Sequence, residues 1–164
     1  MRRKITLALA LLTLAGVACA QQWEPYRPPE GGDDWIAVEI DLRATDENPD
    51  ATGRALLACS TDGPFARVQA RAEDLRQGRV YSAWLVYWDA QKKAVTRTMR
   101  CSHPDAELSA DRYGWMTLAG DLPECPRGKY NVFVIRYHPD GNAQNTSNMR
   151  TVLKGQIPNG GGAQ

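Results

Sequence analysis

The run Arg79-Val-Tyr-Ser-Ala-Trp-Leu-Val-Tyr-Trp-Asp89 constrains this chain more than any other stretch. At period two, Tyr81, Ala83, Leu85 and Tyr87 fall on one face and Val80, Ser82, Trp84, Val86 and Trp88 on the other. Apolar side chains on both faces predict a strand in the middle of a sheet, covered on both sides. Burial in a sandwich then accounts for Trp84 and Trp88. Turn signals bound the run, Leu75-Arg-Gln-Gly78 before it and Asp89-Ala-Gln-Lys-Lys93 after it.

Other segments repeat the period. Residues 35–43 set Ile36, Val38, Ile40 and Leu42 against Glu39 and Asp41, the pattern of a half-buried strand. Further strands are expected over residues 53–60, 65–73, 94–101, 114–122, 129–138 and 149–157, with the polar 94–101 run suited to an edge. Residues 102–113 and 139–148 read as long loops. With no convincing helix, the chain is predicted to be all-β: an antiparallel seven- to eight-stranded sandwich or flattened barrel.

The 164 residues fit one domain with a real core. Arg2, Arg3 and Lys4, the apolar run from Ile5 to Val17 and Ala18-Cys19-Ala20 predict a secretory signal peptide over residues 1–20, cleaved after Ala20. One alternative is an N-terminal membrane anchor, against which the short apolar run argues; the other is Gly16-Val17-Ala18-Cys19, which resembles a lipoprotein box without its usual leucine and would leave Cys19 acylated. Residues 21–34, with Pro25, Pro28, Pro29 and Gly31-Gly32, form an extended arm whose Trp23 and Tyr26 are candidate partner anchors. The sandwich spans 35–157, and 158–164 is a flexible tail.

Loss of the signal takes the formal charge from +1 to −2. That balance offers no basic field for nucleic acid, and no membrane span is expected after cleavage. A periplasmic, cell-envelope or secreted location follows, and there two of Cys59, Cys101 and Cys125 are expected to pair.

If each connection reverses the chain, strand ends sort to two poles. Cys59 and Cys125 share one pole, which makes them the preferred disulfide and leaves Cys101 as the odd thiol. His103, His138, Cys101 and Met149 share the opposite pole. Thiolate, thioether and imidazole together are ligands for copper, which makes these four residues a candidate metal site. The bland alternative is a packed methionine, a small buried cysteine and a solvated histidine.

Two resemblances concern architecture. Leu75-Arg-Gln-Gly-Arg-Val-Tyr81 and Leu122-Pro-Glu-Cys-Pro-Arg-Gly-Lys-Tyr130 each place a leucine and a glycine turn before a tyrosine that opens a buried strand. This resembles the tyrosine corner of immunoglobulin-like folds. The eight-stranded exported sandwich is also similar to copper/zinc superoxide dismutase, which would imply a redox metal beside the strand ends. That family carries a His-x-His pair on one strand, and this chain has two histidines in all.

Catalytic motifs are sparse. Neither Gly-x-Ser-x-Gly nor a nucleophile–His–Asp set is evident, and Cys101 with His103 lacks an orienting group. Tyr113 and Trp115 beside a loop remain candidates for stacking on a sugar. The reading that follows is a non-catalytic secreted or envelope module that binds an envelope protein or surface component and needs no cofactor. The alternative is a copper-binding, superoxide-dismutase-like redox protein.

Overall fold

A computed structural model describes residues 35–101 and 108–158. Nine antiparallel strands follow in order: β1 (Trp35–Ala44), β2 (Thr52–Ser60), β3 (Ala66–Glu73), β4 (Val80–Asp89), β5 (Ala94–Arg100), β6 (Leu108–Ser109), β7 (Met116–Leu122), β8 (Val132–His138) and β9 (Arg150–Gln156). They form one curled sheet, a half-barrel, with the path β5-β4-β8-β9-β1-β2-β3-β7. The expected all-β antiparallel class holds. The loop expected over 102–113 contributes β6, whose Ser109 and Leu108 pair with Val80 and Tyr81 on the edge of β4 that β5 also uses.

The curl is made at the junction of β1 and β9, where only Arg43↔Lys154 and Ala44↔Leu153 pair. A Cβ on Gly155 would lie 2.5 Å from both the Asp41 carbonyl oxygen and Ile40 Cγ2. Glycine is what lets β1 pass this close to β9. The two halves of the sheet then close on one core, to which Ile40, Leu57, Val68, Leu85, Phe133 and Leu153 contribute.

Alternation sets the inward faces. Tyr81, Ala83 and Leu85 of β4 and Phe133, Ile135 and Tyr137 of β8 all belong to the core. Tyr81 is 1% exposed, and its hydroxyl accepts from the Arg76 amide (2.9 Å) and donates to the Arg76 carbonyl (3.2 Å). This is the geometry of a tyrosine corner. Tyr130 is buried as well, but its hydroxyl reaches the Glu124 carboxylate at 3.4 Å rather than backbone.

The ladders alternate direction, so the end of β2 and the approach to β8 meet at one pole. There Cys59 and Cys125 form a disulfide, their sulfurs 2.12 Å apart. Cysteine pairing of this kind is compatible with an extracellular protein. Among the described residues, no helix is long and apolar enough to cross a membrane.

One expectation is overturned. Among the described residues, no second layer seals the outward face of β4. Ser82 and Val86 are buried, Trp84 is half-buried, and Trp88 is 45% exposed. The apolar side chains on this face belong to a surface that loops and long polar side chains cover only in part.

Candidate functional site

The outward face of β5-β4-β8-β9 has a closed end and an open end. At the closed end β8 finishes in His138, and the chain turns through residues 139–149. That polar loop folds as successive side-chain-to-backbone turns. The Asp140 carboxylate accepts from the Asn142 amide (3.1 Å), the Asn142 side chain from the Gln144 amide (2.9 Å), and the Asn145 side chain from the Ser147 amide (3.1 Å). Gly141, at φ 73°, supplies the left-handed residue. Asn145 also donates through Nδ2 to Asp140 Oδ2 at 2.6 Å. The amide contact and the Asn145 side chain hold the Asp140 carboxyl below its usual range.

This loop presents the Asn145 carbonyl to His138 Nδ1 at 3.1 Å. A carbonyl oxygen only accepts, so Nδ1 carries the proton and Nε2 is the acceptor. Ser82 Oγ stands 2.7 Å from Nε2 and donates to it, while Trp84 Nε1 donates to Ser82 Oγ at 2.7 Å. Burial lowers the His138 pKa and the Arg100 charge adds to that, against the raising effects of the Asn145 carbonyl and Asp140. The ring is therefore neutral at physiological pH.

Serine, imidazole and an orienting carbonyl in series are the connections that activate a nucleophile. Accessibility decides the role here. Ser82 is 0% and His138 1% exposed. The series fastens the 139–149 loop to the sheet and leaves no room beside Ser82 Oγ for a substrate.

The metal-site candidates separate across the sheet. Met149 Sδ lies 3.9 Å from Ser82 Oγ, so it shares the outward face with His138. Cys101 is 4% exposed in the core, its amide bonded to the Ala83 carbonyl, and burial pushes its thiol pKa up. His103 lies outside the described residues, as do the arm anchors Trp23 and Tyr26. Pole counting brings Cys101 and His138 to one end of the sheet, but strand alternation turns them to opposite faces. Among the described residues, no group of three His, Cys, Asp or Glu side chains is placed to hold a metal.

The open end is a groove of about 550 Å³, lined by Val86 and Trp88 of β4, Val95 of β5, Val132, Val134 and Arg136 of β8, Thr151, Lys154 and Gln156 of β9, and Thr45. A bulge between Tyr87 and Trp88 shifts the β4–β5 register. On the opposite edge of β4, Asn131 extends the β4–β8 ladder: its Oδ1 accepts from the Trp88 amide (2.8 Å) and its Nδ2 donates to the Trp88 carbonyl (2.9 Å). This anchors the backbone of the most exposed tryptophan lining the groove.

Arginines stack between the two ends. Trp84 lies opposite Arg100 on β5, and the Arg100 and Arg136 guanidinium carbons stand 5.7 and 5.8 Å from its ring centre. Elsewhere, Tyr113 is 59% exposed, but Trp115 is half-buried beneath Arg71 at 4.6 Å, so the pair is not a bare stacking platform.

Sequence reasoning missed Ser82, Asn145 and the groove. Ser82 was the visible clue, a lone hydroxyl among apolar residues on its face. Its partner lies 56 residues away. Fold and site together define an all-β protein built on a curled antiparallel sheet, with an apolar groove on one outward face. No family model matches the chain, and no curated protein is significantly similar to it.

Proposed function

We propose that this chain is a non-catalytic module of the cell envelope or extracellular space, and that it binds another envelope component through the outward face of β5-β4-β8-β9. The observation that carries this reading is the groove. Trp88 and Val95 are 45% and 44% exposed over a valine floor, and that floor stands on β4 and β8, which the sequence makes apolar on both faces. An isolated exposed apolar residue needs no explanation, whereas an apolar hollow with a few polar groups at its rim is the first place to look for a ligand. The Ser82–His138 tie supports a non-catalytic role, because it uses the best nucleophile–base pair as a buried fastener. The copper alternative draws no comparable support: Cys101 sits in the core, and both ring nitrogens of His138 bond within the protein.

The test is co-fractionation of the native protein with the envelope. Trp88→Ala is expected to release it while leaving the unfolding midpoint nearly unchanged. Retention by Trp88→Ala together with release on deleting residues 21–34 would move the binding surface to the arm. Retention by both would end the proposal.

A further inference from the structure

We propose that the groove takes an anionic amphiphile, a single acyl chain bearing a carboxylate or phosphate head group. This rests on the binding-module reading and names its ligand class. Three observations carry it.

The floor is hydrocarbon. Val86, Val132 and Val134 stand on strands whose backbones are already paired in the β4–β8 and β8–β9 ladders. A peptide laid across this face would leave its own amides and carbonyls without partners. A sugar ring would meet valines where its hydroxyls need acceptors, and among the described lining residues Gln156 is the one side-chain amide. An acyl chain needs neither. From Thr151 to Gln156 the groove runs for roughly 16 Å at about 3.3 Å per residue, which suits an extended chain of medium length.

The polar rim is cationic. Arg136 and Lys154 line the groove, and among the described residues no carboxylate does. Neither makes an ion pair among the described residues, whereas Arg54, Arg67, Arg71, Arg76 and Arg150 all do. Arg136 is half-buried, and desolvation lowers its pKa. A head-group anion would supply the missing counter-charge.

The same charges disfavour a second copy as the occupant. Two such faces packed about a two-fold axis would set Arg136 and Lys154 against their own counterparts, while the carboxylates of the adjoining hollow, Glu39 and Asp41, are already paired with Arg54.

The experiment titrates the full-length protein with dodecanoate and dodecyl phosphate, below their micellar concentrations, following tryptophan fluorescence and heat. Saturable one-to-one binding is expected, tightening roughly two-fold per methylene from octanoate upward, less than the fully buried increment because the groove is open on one side. Arg136→Gln should weaken dodecanoate by about ten-fold and leave dodecanol unaffected. Equal binding of dodecyltrimethylammonium would reduce the site to a generic apolar patch and overturn the proposal. So would binding of inorganic phosphate as tight as that of dodecyl phosphate, or binding confined to anionic phospholipid vesicles. If no amphiphile binds but Trp88→Ala still releases the protein from the envelope, the ligand class falls and the module stands. If Trp88→Ala changes neither, both fall.

Discussion

Ser82 Oγ and His138 Nε2 lie 2.7 Å apart on adjacent strands, both out of reach of water, and between them they hold the 139–149 loop against the sheet. Ser82 donates to the imidazole and accepts from Trp84 Nε1. Ser82→Ala therefore strands a buried acceptor and a donor together. The expected loss is about 2 kcal/mol in urea unfolding, with faster amide exchange in residues 139–149. An unchanged midpoint would mean that the loop is held by its own turns alone.

Tyr81→Phe removes one oxygen from a core position and leaves the Arg76 amide and carbonyl without their partner. Ring packing against Tyr137, at 5.8 Å between centres, is kept. A loss of about 1–2 kcal/mol is expected, measured as a lower denaturation midpoint at constant slope. Tyr130→Phe, which gives up only a long contact to a partly exposed carboxylate, should cost less.

Legibility followed local pattern. Alternation placed strands and faces in residues 66–73 and at Ile40 and Leu42, where side-chain period and burial coincide, whereas Ile36 at the start of β1 is 44% exposed. Connection parity brought Cys59 to Cys125, because every ladder here is antiparallel. Two things lay beyond it. Apolar residues on both faces of β4 imply cover without saying what supplies it, and here the cover is a loop, two arginines and, beside Trp88, nothing among the described residues. Parity also fixes the end of a strand and not its face, so Cys101 and His138 arrive at one pole on opposite sides of the sheet.

The cysteines should differ sharply in chemistry. In the native protein Cys101 is expected to resist alkylation, since burial raises its thiol pKa and excludes the reagent, and to react fully once urea unfolds the chain. The Cys59–Cys125 bond links residues 66 apart in sequence, which corresponds to about 4 kcal/mol in the chain-entropy model. Cys59→Ala combined with Cys125→Ala should lower the unfolding midpoint accordingly. Peptide mapping that recovers Cys101 in a bridge would contradict the assignment.

His138 makes stability depend on pH in a defined direction. Burial lowers its folded pKa below the ordinary value of about 6.5, Arg100 lowers it further, and Asp140 opposes both. Above the ordinary value the ring is neutral in both states and its contribution is complete. As pH falls, the unfolded chain binds the proton first, so stability drops until the folded pKa is passed and then levels. Glu124 and Asp140 also have depressed pKa values, and their contributions are lost only lower, below about pH 4.5. Between about pH 7 and pH 5 the slope therefore belongs to histidine. His103 is present in both proteins of a matched pair and cancels in the difference. Urea midpoints of the wild type should fall across that window, whereas those of His138→Gln should start lower and stay flat. Parallel slopes in the two proteins would show that His138 is not the neutral, loop-tying imidazole described above.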